Sequence, residues 1–135
     1  MTRAQIAAIA LLTAATPMTA NAKAPLRNVP EIENPLFAVA VAKEVAEYCD
    51  SIGARYMKGL GELRRLRARA NQLGYTDAEI RAYIESDTEK ARMRAKGEQL
   101  LKTGGVSYEK PETFCAFGRA EIKNNSAIGV LLRAK

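Results

Sequence analysis

From Val41 to Leu73 the apolar residues keep a helical period. Val41, Val45, Tyr48, Ile52, Tyr56, Leu63, Leu66, Ala70 and Leu73 all fall on one stripe when the chain is wound at 100° per residue. No stretch of the sequence shows the two-residue alternation of a half-buried strand. The phase carries across Asp50-Ser51, so the region is either one long helix or two stacked ones, weakened locally by Gly53, Gly59 and Gly61. The expectation is a single small all-α domain of four or five helices.

Stop and start signals divide the rest. Asn34-Pro35 reads as the first helix start, a capping side chain followed by a proline whose missing N–H does no harm. Before it, Lys23 to Glu33, with Pro25 and Pro30, reads as an extended N-terminal arm. Gly74 stops the long helical region. Thr76-Asp77-Ala78-Glu79 then has the capping-box form and predicts a short helix with Ile80, Tyr83 and Ile84 inward. Ser86-Asp87-Thr88-Glu89 repeats the box and predicts another helix, with Met93, Gly97, Leu100 and Leu101 inward and Gly104-Gly105 as its exit. Pro111 opens a last helix to about Lys123, on which Phe114, Cys115, Gly118 and Ile122 share one side. In the tail beyond Asn124-Asn125, Ile128, Val130, Leu131 and Leu132 are costly to leave in water. They either pack back on the core or dock onto a partner.

The first residues read as an address. Arg3 precedes an uncharged apolar run from Ala4 to Thr16, Pro17 ends it, and Ala20-Asn21-Ala22 has the small-x-small form that a signal peptidase accepts. The run is short for a bilayer span, which takes about 20 apolar residues. The organisation expected is a removed secretory signal over 1–22, an arm over 23–33, and a helical domain with an apolar tail over 34–135, placed in the periplasm. In that oxidising setting Cys49 and Cys115, the two cysteines of the chain, read as a disulfide rather than as two buried thiols. Closing so long a loop stabilises by up to about 4 kcal/mol on the chain-entropy model.

The chain has no histidine. That removes Ser-His-Asp and Cys-His catalysis, most zinc and iron sites, and the side chain best suited to proton transfer near neutral pH. No glycine-rich phosphate loop is present. Glu85 to Glu89 spaces its oxygens like the start of a calcium loop, but no glycine stands at the sixth position and Lys96 stands at the twelfth. No catalytic residue, cofactor or metal is expected. The net charge of +6 points away from nucleic acid in an exported protein. It points instead to anionic lipid or an acidic protein surface, or only to solubility. Arg64, Arg65, Arg67 and Arg69 are the densest basic run and point to several sides of a helix. With the tail, Arg64, Arg65 and Arg69 make a candidate interaction surface, against the plainer reading of a solvated face with acids nearby.

Five phrases, APLRNVPEI, YCDSIGAR, LGYTDAEIRAYIESDTEKARMRAKGE, FCAFGRAEI and SAIGVLLR, occur in this order along nearly all of the chain after the signal. The set resembles an uncharacterised family of small exported alphaproteobacterial proteins. Some members are encoded among the genes of the proton-pumping respiratory NADH dehydrogenase, complex I. The resemblance brings no catalytic residues, and it implies an accessory role. The expected function is therefore a non-catalytic periplasmic accessory or interaction protein at the membrane surface, with complex I as a possible partner. The alternative is a small helical module for a ligand or lipid, with an enclosed apolar cavity between the long helix and the Phe114 helix. An enzyme working through carboxylate, tyrosine or lysine chemistry stands third.

Overall fold

The computed structural model describes residues 22–135. The expected signal lies outside the described residues, apart from Ala22. Five helices form the fold: α1 (Pro30–Tyr48), α2 (Tyr56–Gln72), α3 (Asp77–Glu85), α4 (Asp87–Thr103) and α5 (Pro111–Lys123). Single turns of 3-10 helix stand at Leu26–Asn28 and Gly129–Leu131. A two-stranded antiparallel sheet pairs β1 (Ile52–Ala54) with β2 (Leu132–Ala134), with Ile52 opposite Ala134 and Ala54 opposite Leu132. The protein is all-α apart from this ribbon, and a disulfide joins Cys49 to Cys115 across 66 positions.

The helix ends follow their local chemistry at four places. Thr76 closes a full capping box, its hydroxyl accepting from the Glu79 N–H and the Glu79 carboxylate accepting from the Thr76 N–H. Ser86 makes only half of one. It accepts from the Glu89 N–H, while the Glu89 carboxylate turns to Arg92 and Arg27. This acidic first turn of α4 is what the supposed calcium spacing is. Gly105, at φ +82°, takes the left-handed exit from α4, and Pro111 opens α5.

Two expectations about the start of the domain are corrected. The first helix begins at Pro30, four residues before Asn34, with the Ile32 and Glu33 N–H groups donating to the Val29 carbonyl. Pro35 lies inside it. Residues 23–33 are consequently no extended arm: Leu26 and Ile32 are buried beside Leu66, Ala70, Tyr75 and Ile80. Burial of those two side chains outweighs the proline punctuation. Of the two readings of Val41 to Leu73, one long helix or two, the structure takes the second, without the common buried stripe. Cys49 is extended, and β1 and Arg55 separate α1 from α2. The turn swings the second helix, so Tyr56 and Leu63 are exposed rather than on a common buried stripe.

The tail is also corrected, from docking surface to core. Ile128, Leu131 and Leu132 are buried, Leu132 completely, and Val130 packs against the same cluster. Backbone and side chain of Arg55 donate to the carbonyls of Leu131 and Leu132 at 2.8 and 3.0 Å, and the Lys135 N–H donates to Ser51. Gly129 fits because it has no side chain: a Cβ there would sit 1.9 Å from the Glu121 carbonyl oxygen. With Val45, Ile52, Leu101 and Phe114, the tail completes the main core. The seam between α1 and α5 is tightly filled. A Cβ at Gly118 would come within 2.5 Å of Ile52 and 2.8 Å of Val45, so the enclosed cavity expected there is replaced by packing.

Candidate functional site

Apolar side chains come to the surface between α1 and α4. Phe37, Ala40 and Val41 on α1 follow i, i+3, i+4 spacing, and Met93, Gly97 and Leu101 on α4 follow i, i+4, i+8. Each set lines one wall of an open groove of about 620 Å³, which Ile84 of α3 extends at one end. Gly97 sets the depth of the floor, since a Cβ there would lie 3.9 Å from both Phe37 and Val41. Lys43 and Glu44 stand on the α1 rim, and Lys90, Arg94 and Glu98 on the α4 rim.

A charged network anchors the groove near Phe37. Glu33 is only 4% exposed and Glu89 is also buried. Arg92 bridges them, with Nη1 2.9 Å from Glu33 Oε1 and Nε donating to Glu89 Oε2 at 2.8 Å. The Tyr83 hydroxyl donates to Glu33 Oε2 and accepts from Arg92 Nη2 at 3.0 Å. Arg27 pairs with Glu89 from outside. Lys96 lies 3.7 Å from Glu33 Oε1 and sits over the Phe37 ring. Burial by itself would raise the Glu33 pKa, but the hydrogen bonds from Arg92 and Tyr83 outweigh it and hold the carboxyl below its usual range. Burial, followed by the bond to Glu33, pushes the Tyr83 phenol well above its ordinary value. Hydrogen bonds to Glu33 and Glu89 push Arg92 up as well. Glu33 and Arg92 are thus held charged and Tyr83 neutral near pH 7. Such a network positions helices.

At the other end, Tyr108 donates to Glu44 at 2.9 Å and packs edge-on to Tyr48 and Phe114, whose own rings are stacked with centroids 4.7 Å apart. Burial and the Glu44 carboxylate push the Tyr108 phenol up to about 12.

The candidate residues read from sequence are distributed differently from this site. Cys49 and Cys115 are joined, with Cα atoms 5.1 Å apart. Arg65 pairs with Glu62, Arg67 with Asp77 and Arg69 with Glu31. Among the described residues only Arg64 of that run has no carboxylate partner. The basic run is therefore mostly a solvated face laced with acids. The groove itself was half visible: Met93, Gly97 and Leu101 are the inward stripe of α4, but periodicity says nothing about how fully a neighbour covers a stripe. Glu33 and Arg92 carried no local signal, because their meeting depends on α1 and α4 coming together.

Among the described residues, no helix is long and apolar enough to cross a membrane. A model described as "Family of unknown function (DUF5333)" matches residues 24–133. No curated protein and no solved structure matches the chain.

Proposed function

The chain belongs to that family of unknown function, and from its own geometry we propose that it is a non-catalytic binding protein of the periplasm, an accessory to a larger assembly. The observation that carries the reading is the groove between α1 and α4, whose walls present apolar residues at helical spacing and whose rims are charged. An amphipathic helix of a partner protein fits such a surface by packing its ridge between the two walls. The rim charges then set its register. The Cys49–Cys115 bond supports an oxidising compartment, in keeping with the signal read over residues 1–22. The resemblance to exported alphaproteobacterial proteins encoded beside complex I makes that complex the first partner to test.

The test is a native separation of gently solubilised membranes, with a tag placed just after residue 22 and, separately, after Lys135, since either tag could block a contact. The expected result is co-migration with a large assembly, abolished by Ala40→Arg on the exposed groove wall. Migration alone at the size of the free chain, or co-migration unaffected by Ala40→Arg, would overturn the reading. A second reading, a small amphiphilic ligand in the same groove, is favoured by its volume of about 620 Å³, which lies within the usual range for small-molecule sites. Native mass spectrometry of the purified protein distinguishes the two by showing or failing to show a bound small molecule.

A further inference from the structure

The stripe of α2 that enters the core does not stop where the core stops. Leu66 and Ala70 are buried against α1 and α3. One to three turns earlier the same stripe continues through Leu63 and the half-buried Leu60 to Tyr56, with Met57 beside it, and it ends in the open. Tyr56 is 75% and Met57 71% exposed, the two most exposed large apolar side chains of the described residues, and Leu63 is exposed too. Gly59 and Gly61 lie in the same turns, and a Cβ at either would meet nothing within 4 Å. The first half of α2 thus meets the Leu131 turn on its inner side, while on its outer side Tyr56 and Met57 stand uncovered by any element among the described residues.

Its surroundings are basic. Arg55 and Lys58 flank Tyr56 and Met57 in sequence, and Arg64 lies one turn beyond Leu60. Arg133 of β2 and Lys135 just beyond it lay their side chains over Gly53 in the ribbon that feeds the helix. Lys58, Arg64, Arg133 and Lys135 are all exposed, and none pairs with a carboxylate among the described residues. The acids here are few. Glu62 is taken by Arg65, and Asp50 lies in the turn that leads into β1.

We propose that the first half of α2 is a membrane-docking face that seats the protein on anionic lipid, with Tyr56 and Met57 entering the headgroup boundary beside the half-buried Leu60 and Lys58, Arg64, Arg133 and Lys135 pairing with phosphates. The pattern of charge favours lipid: unpaired cations on the helix, in the ribbon and just after it surround an exposed apolar centre, as on a surface that lies along an anionic interface. Tyrosine suits that depth, with its ring in the boundary and its hydroxyl wet. The long stems of lysine and arginine let their charges reach the phosphate level while the helix lies flat. The face shares no residue with the α1–α4 groove, so it stands independently of the partner proposed there.

Co-sedimentation of the folded, disulfide-bonded chain 23–135 with vesicles tests this. Vesicles of phosphatidylcholine with a third phosphatidylglycerol should bind it, and pure phosphatidylcholine should not. Binding should weaken steeply with added salt, because exposed charges are screened within about 10 Å at 0.1 M. Reversing two charges, Lys58→Glu with Arg64→Glu, should weaken binding by about tenfold or more, since each cation contributes about 1 kcal/mol at an anionic surface. Tyr56→Ser with Met57→Ser should do likewise, with melting unchanged because both side chains are exposed. Ala40→Arg should bind vesicles as the parent does, which separates a failed groove from a failed face. A parent chain that stays in the supernatant, or variants that bind as well as it does, would overturn the proposal. So would a solution dimer broken by the Tyr56/Met57 variant with no partition onto vesicles, which would assign the ridge to a second copy of the chain.

Discussion

Around Phe114 the packing has no room for a methyl group at Gly118, whereas around Leu66 and Ala70 the apolar cluster is smaller and is flanked by ions. The first region joins α1, α5, the ribbon and the tail, and is stapled by Cys49–Cys115. The second joins the Leu26 turn, α2 and α3, with the Glu33–Arg92–Glu89–Tyr83 network beside it. Packing and a covalent bond are indifferent to salt and nearly so to pH. Charges held by partners are not. The comparison teaches that one small domain can be rigid at one end and condition-dependent at the other.

The largest effect expected is on the first region. Deleting residues 128–135 removes β2 and three buried side chains, each contributing about 1.5–3 kcal/mol, against a total stability for such domains of about 5–15 kcal/mol. The truncated chain should lose cooperative melting by circular dichroism; a shortened chain that still melts sharply would mean that the core closes without its tail. Reduction of the disulfide comes next, with a loss of up to about 4 kcal/mol in urea unfolding. A change under about 1 kcal/mol would mean that packing alone sets the geometry of that seam.

The second region should respond to Arg92→Met, which leaves Glu33 and Glu89 buried without their shared cation. Breaking a buried pair costs about 3–5 kcal/mol, and because the Arg92 side chain is 31% exposed the expected loss is nearer 2–3 kcal/mol. Adding Glu33→Gln should recover part of it; no recovery would show that Arg92 acts by packing. The smallest effect is that of pH. Glu33 titrates in the fold below its unfolded value, which is about 4.3. Its contribution is therefore complete above that value and is lost as pH falls through the lower folded one. Tyr83 runs the opposite way: its folded pKa is raised, so its contribution is complete below about 10, the unfolded value, and fades as pH rises further. Protection against amide exchange at Ile80 and Tyr83, taken relative to the intrinsic rate at each pH, should fall in acid before protection at Phe114 does. Simultaneous loss at the three would mean that the regions open as one unit.

Much of the fold was legible because local chemistry decided it. Thr76, Ser86 and Pro111 announced their helices, Gly105 ended one, and an even cysteine pair foretold the bond. The break after Tyr48 was hidden because the apolar phase runs straight through it, although the chain there turns into β1. That strand gave no alternation to see: it is three residues long and is completed by three more from the far end of the sequence. The Asn34-Pro35 start was misplaced because Leu26 and Ile32 find burial that no local rule foresees. Of the candidate site, sequence supplied the inward stripe of α4 but not its half-covered state. The partners of Arg65 and Arg69 show both sides of the same limit. Glu62 is a helical neighbour and could be read, while Glu31 arrives from another helix.

The pairing of Ile52 with Ala134 also sets an order in time. Residues 30–127 are synthesised before Leu132 exists, and until it follows, Phe114, Ile52 and Val45 lack one wall of their enclosure. Contacts between such distant parts of a chain form slowly in any case. Until residues 132–134 follow, β1 also has no partner strand. The strand that finishes the core is therefore also a latch on the folding clock, closing the Phe114 cluster only after the segments it joins have all been made.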